Sequence, residues 1–116
     1  MIATIGKQYT FEAAHQIRNH PGKCRNLHGH SYKVIVEVTG EVSPTTGMVI
    51  DFDELDKVMD PVLTVVDHAY LNDIFTTIPT AENIAAYFFK EIALKIGGCS
   101  KVTVYETQSS FASYTP

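Results

Sequence analysis

The stretch KCRNLHGHSY, residues 23 to 32, gathers a thiol, Cys24, and two of the chain's five imidazoles, His28 and His30. Thiols and imidazoles ligate transition metals and carry protons near neutral pH. Two histidines spaced two apart on a strand share a face, with backbones about 6.5 Å apart. Their rings can converge on an ion ~2 Å from each nitrogen. His15 ends a second alternating row, Ile5, Tyr9, Phe11 and Ala13. If the two strands pair antiparallel, His15, His28 and His30 meet at one end of a sheet. Three neutral nitrogens leave a fourth coordination position for a reacting molecule, the catalytic arrangement of zinc. A His-x-His pair alone is equally compatible with surface or core histidines, and His20, before Pro21 and Gly22, reads as a surface residue. Cys24 admits two readings. It could close a structural Cys–His₃ site, or remain a free thiol beside Lys23 and Arg25 whose thiolate acts as base or nucleophile.

Two further positions carry titratable chemistry. Asp67 and His68 are adjacent, and a carboxylate beside an imidazole can fix its tautomer and raise its basicity. Glu106 extends an apolar row of Val102 and Val104. A carboxylate buried there needs a cationic partner or a ligand with two adjacent N–H groups, such as a planar heterocycle with an amidine-like edge. The alternative is a strand that has reached solvent by Glu106.

The elements that must position these groups follow from periodicity. Alternation predicts a strand through residues 5 to 15, with Lys7 the polar exception on its apolar face, and a second through YKVIVEVTGEV with Tyr32, Val34, Val36 and Val38 on one side. SPTTG at 43 to 47 is turn chemistry. Phe52, Leu55, Val58, Met59, Val62 and Val66 recur at helical spacing, with Asp51 as N-cap and Glu54 as its capping-box partner. Pro61 is expected to kink or divide that helix. A second helix follows Pro79, with Thr80 as N-cap, Ile84, Phe88, Ile92 and Ile96 on its inner face, and Gly97 and Gly98 at its end. KVTVYET and SSFASYT read as two closing strands joined near Gln108. The order implies an α+β fold, ββααββ, with a four-stranded antiparallel sheet and two helices on one face. Its exposed edges invite self-assembly.

At 116 residues, 45% hydrophobic and 19% charged, the chain suits one globular domain over 1–116. No apolar run approaches the ~20 residues needed to span a bilayer. The N-terminus lacks the charged and apolar blocks of a secretory signal. Two cysteines without such a signal read as reduced thiols of a cytoplasmic protein, not as a Cys24–Cys99 bridge. A net charge of −4 argues against nucleic-acid binding. Yet residues 1 to 33 carry +4, from Lys7, Arg18, Lys23, Arg25 and Lys33 against Glu12, and the remainder −8. A basic segment around the Cys/His stretch favours an anionic ligand, unless these are simply solvated loop charges.

The sequence FEAAH at 11–15, C-x3-HGHSY at 24–32, TG-x-V-x-DF at 46–52, VVDHAYLND at 65–73, PTAEN at 79–83 and YET at 105–107 resembles, in order and over essentially the whole chain, the 6-pyruvoyl-tetrahydropterin synthase / 6-carboxytetrahydropterin synthase family. The resemblance implies the tunnelling fold (T-fold), in which subunit sheets join into a trimeric β-barrel and two trimers stack as a hexamer. It implies zinc on His15, His28 and His30, Cys24 as proton-abstracting base, Asp67 and His68 as a second acid/base pair, and Glu106 as anchor of the pterin ring. Thr80 and Glu82 match positions near the pterin pocket, and family sites are assembled between neighbouring subunits. The implied substrate is 7,8-dihydroneopterin triphosphate. The three residues between Cys24 and HGH resemble the bacterial carboxytetrahydropterin synthases of queuosine biosynthesis, which release acetaldehyde and triphosphate. The pyruvoyl branch has a longer insertion there. A folate-linked branch places a glutamate near the cysteine, where this chain has Lys23. A non-catalytic, zinc-containing barrel that binds a pterin or purine is the rival from another class.

Overall fold

The computed structural model describes the whole chain, Met1–Pro116. Strands β1 (Ile2–His15) and β2 (His28–Glu41) pair antiparallel in continuous register from Ile2↔Glu41 to His15↔His28. Alternation is preserved along both. Phe11, Ala13 and His15 of β1, and Tyr32, Val34, Val36 and Val38 of β2, are buried on one side. Thr4, Gln8, Thr10 and Glu12 are exposed on the other.

The helices number three, not the expected two: α1 (Phe52–Val66), a single turn α2 (Leu71–Ile74) and α3 (Ala81–Ala93). The sheet has five strands, not four. A two-residue strand β3 (Ala69–Tyr70) joins β4 (Cys99–Tyr105) and β5 (Phe111–Tyr114) in the order β3-β1-β2-β4-β5. β3 runs parallel to β1 through Ala13↔Ala69 and Ala14↔Tyr70, so the sheet is not purely antiparallel. The turn after α1 delivers it. His68 adopts φ 58, in the left-handed region, and donates its N–H to the Glu12 carbonyl. The sheet is open in a single chain.

α1 runs unbroken through Pro61, against the expected kink or division. Pro61 lies on the exposed side of the helix, where water can stand in for the missing N–H donor. Asp51 caps α1 by accepting the Asp53 N–H at 2.9 Å. Glu54 does not complete a capping box, because its carboxylate takes the Lys57 ammonium at 3.2 Å. Thr80 caps α3 by accepting the Asn83 N–H. α3 ends at Ala93, short of Gly97 and Gly98, which form the turn into β4. Gly98 is required there, since a Cβ would approach the Thr39 carbonyl oxygen to 2.7 Å.

One core joins the helices to the sheet, with Leu55, Met59, Val66, Ile84, Phe88 and Ile92 packed on Phe11, Tyr32, Val34, Val36, Val102 and Val104. Each such side chain contributes about 1.5–3 kcal/mol on burial. The polar exception Lys7 reaches Asp56 of α1 at 2.7 Å, and Tyr9 donates to the same carboxylate at 2.7 Å. That pair is partly solvated and adds little beside the apolar contacts, so its effect is to set where α1 crosses β1. Residues 16 to 27 connect β1 to β2 around one 3-10 turn, Lys23–Arg25. The histidines at the end of β1 and the start of β2 therefore share one end of the molecule.

Candidate active site

His15 and His28 are direct cross-strand partners, and His30 lies opposite Ala13 on the same face. Their ring centroids are 4.5 Å (His15–His28), 4.8 Å (His28–His30) and 5.1 Å (His15–His30) apart. The nitrogens that could ligate all lie within 4.8 Å of one another. The antiparallel pairing of β1 and β2 thus brings the three imidazoles together at one end of the sheet.

Their tautomers follow from main-chain contacts. His15 Nδ1 sits 2.7 Å from the Pro79 carbonyl oxygen, and His28 Nδ1 sits 2.7 Å from that of Asn26. A carbonyl only accepts, so each Nδ1 carries the hydrogen and each neutral ring keeps its lone pair at Nε2. Those two Nε2 atoms are 3.0 Å apart. Facing lone pairs repel, so the arrangement calls for a proton or a cation between them. Burial lowers the pKa of His15, an effect larger than the opposing influence of the Pro79 bond and the Glu106 charge, and burial likewise lowers that of His30. A proton is therefore disfavoured and the ligating, neutral form is favoured. Two ligands ~2.05 Å from a tetrahedral ion stand about 3.4 Å apart, close to the spacing observed. An all-nitrogen set suits first-row transition metals and not calcium or magnesium, which prefer oxygen. The residues fit a transition-metal ion.

Glu106 reaches the same cluster. It follows β4 on the helix-covered face, donates its N–H to the Ser110 carbonyl, and places Oε2 3.4 Å from His15 Nε2 with its side chain 27% exposed. The strand has not reached open solvent at this point. Tyr32, next along the histidine row, is fully buried, and its hydroxyl is the one buried side-chain polar atom without a hydrogen-bond partner.

The remaining candidates are not part of the nitrogen cluster. Cys24 is a free, exposed thiol on the 3-10 turn and is not part of the donor cluster, so the closed Cys–His₃ set is not formed. Asp67 and His68 do contact each other, with Oδ2 3.0 Å from Nδ1. Asp67 also accepts the Glu12 N–H, and that bond, then His68, holds its carboxyl below the usual aspartate range. The pair sits at the edge of β1, where His68 lines an open cleft of about 600 Å³ with Glu12, His30, Ser31 and Tyr70. Thr80 caps α3 directly after Pro79, while Glu82 is exposed in the first turn of that helix. Sequence reasoning missed the carbonyls of Pro79 and Asn26 and the orphan hydroxyl of Tyr32. Tyr32 was legible only as a member of the apolar row.

Comparison with known proteins places these features in a family. The family model described as 6-pyruvoyl tetrahydropterin synthase matches residues 4–116. The chain is 44% identical to a 6-carboxy-5,6,7,8-tetrahydropterin synthase of Synechocystis sp., over 95% of this chain and 91% of that protein. It is 34% identical to a protein of the same name from Haemophilus influenzae, over 95% and 96% of the two chains. The solved structure of the 6-pyruvoyl tetrahydropterin synthase of Caenorhabditis elegans superposes with a TM-score of 0.93 at 34% identity, covering 100% of this chain and 96% of that one. With a T-fold architecture, and a family match that takes in every motif from the first strand to the last, this chain belongs to the 6-pyruvoyl tetrahydropterin synthase family.

Proposed function

We propose that the chain is a zinc-dependent 6-carboxy-5,6,7,8-tetrahydropterin synthase, a lyase that converts 7,8-dihydroneopterin triphosphate and one water to 6-carboxytetrahydropterin and releases acetaldehyde and triphosphate. The observation that carries this reading is the pair of Nε2 lone pairs held face to face by two main-chain carbonyls, with His30 as the third ligand. The bacterial relatives of that name support the carboxy branch. Zinc on His15, His28 and His30 would act as a Lewis acid toward the substrate's side-chain hydroxyls. Glu106, already beside the histidine cluster, would accept from the amidine-like edge of the pterin and so fix the orientation of the ring. Cys24 takes the proton as thiolate, and the Asp67–His68 pair serves as the second acid/base. Thr80 and Glu82 border the ring pocket.

Residues 1–116 act as one domain, in the cytoplasm and on the route to queuosine and other 7-deazapurines. Within one chain Cys24 lies on the connecting turn, and His68 lines the cleft at the edge of β1 together with His30. The free edges of the open sheet support a homo-oligomer, a trimer or dimer of trimers, in which neighbouring copies share a site. A second reading, 6-pyruvoyl-tetrahydropterin synthase, has the Caenorhabditis elegans structure in its favour. Product analysis decides between them. Zinc-loaded protein incubated with dihydroneopterin triphosphate should yield acetaldehyde and the carboxy product by mass. Loss of triphosphate without acetaldehyde assigns the pyruvoyl branch, and retained turnover in Cys24→Ala removes the thiol from its role.

A further inference from the structure

A buried hydroxyl without a partner destabilises the protein that carries it. Tyr32 is 0% exposed and its Oη meets no acceptor. Packing does not call for the oxygen, because the ring stacks on Phe11 at 4.7 Å and 6°, contacts that phenylalanine would make equally well. Position ties it to the site. The ring stands edge-on to His30 at 5.4 Å and to His15 at 5.9 Å. The β2–β4 ladder runs through Val34↔Val104 to Lys33↔Tyr105, so Tyr32 and Glu106 are the next residues along the two chains, on the face of Val34 and Val104.

Glu106 has the complementary deficit. A carboxylate only accepts. Its one side-chain contact is His15 Nε2 at 3.4 Å, a nitrogen whose lone pair faces the cluster and which has no hydrogen to give while Nδ1–H serves Pro79. A donor lacking an acceptor thus neighbours an acceptor lacking a donor. Glu106 lies just past the end of β4, with its side chain 27% exposed.

We propose that, when ligand is bound, the Tyr32 hydroxyl donates to the Glu106 carboxylate and fixes its orientation toward the bound heterocycle. Tyr32 is then a positioning residue that acts through Glu106. A carboxylate offers about four lone-pair sites, so one bond from Tyr32 leaves both oxygens able to face two adjacent ring N–H groups. The inference rests on the pterin reading of the site.

Tyr32→Phe tests it in the zinc-loaded protein, with neopterin as the probe and its fluorescence as the readout. The expected result is about tenfold weaker neopterin binding. Zinc affinity by chelator competition should be unchanged, and the melting temperature of the ligand-free variant equal to or above wild type. A merely structural tyrosine would lower the melting temperature when truncated. Equal neopterin binding by variant and wild type overturns the inference and leaves the functional reading intact. A lower melting temperature or weaker zinc binding in the variant also overturns it, since the hydroxyl would then already be bonded in the free protein or act through the histidines. If the wild type binds no neopterin, the functional reading fails first and this inference falls with it.

Discussion

At His15 and His28 the choice of ligating nitrogen is made by main-chain carbonyls, which hold the Nδ1 hydrogens and turn Nε2 inward. Burial lowers the pKa of His15 and His30 below the ordinary histidine value of 6.5. The sign follows from linkage. Above pH 6.5 the rings are neutral in both folded and unfolded chains, and the stability gained from neutral burial is fully present; it is lost as pH falls below 6.5 and through the lowered folded values. Metal uptake needs the same neutral rings. We expect bound zinc, measured by elemental analysis after dialysis, to be retained at pH 6.5 and released only at lower pH; release beginning well above that value contradicts the burial effect. His28→Ala should lower zinc affinity by more than about tenfold, read by chelator competition, while circular dichroism is unchanged. Sequence parity was enough to align the three histidines because strand alternation fixes which way a side chain points. It could not reveal the Pro79 and Asn26 carbonyls, which every residue type carries.

α3 is linked to the histidine cluster by its cap. Thr80 begins the helix, and the carbonyl one residue earlier holds His15. Thr80→Ala should cost about 1 kcal/mol in urea unfolding, with Thr80→Ser restoring most of it. Zinc affinity should weaken in the same variant as the Pro79 carbonyl loosens. α1 is positioned by Asp56, whose carboxyl is held below its usual value of 3.8 by the hydrogen bonds from Lys7 and then Tyr9. A depressed carboxyl stabilises above its unfolded value and loses that contribution as pH falls through the folded one. The stability difference between wild type and Asp56→Asn should therefore shrink as pH drops below 3.8; a difference constant with pH excludes the ion pair as its source. The long elements were legible because 14-residue strands and a 15-residue helix repeat their apolar period several times. β3, at two residues, and α2, at four, are too short to show a period, and their pairing depends on where the turn at His68 places the chain.

The molecule is elongated, 53 × 24 × 22 Å, with the histidine cluster toward one end of β1 and β2 and the edges of an open sheet on either side. Strand edges of this kind are stable when another chain pairs with them. If neighbouring copies complete each site, Cys24→Ala and His68→Ala should each be inactive alone. Mixed and reassembled, they should recover about a quarter of wild-type activity, because random mixing leaves that share of sites with both groups intact; no recovery would confine the site to one chain. The charge asymmetry was visible in the sequence, but sharing of groups between copies would not be, because it is a property of more than one chain. The two thiols also differ in kind. Cys99 is buried near the far end of the sheet opposite Val38, its thiol pushed up to about 11 by burial, whereas Cys24 is exposed on the turn. At neutral pH an alkylating reagent therefore meets one accessible sulfur per folded polypeptide, and its uptake counts folded chains without any engineered label.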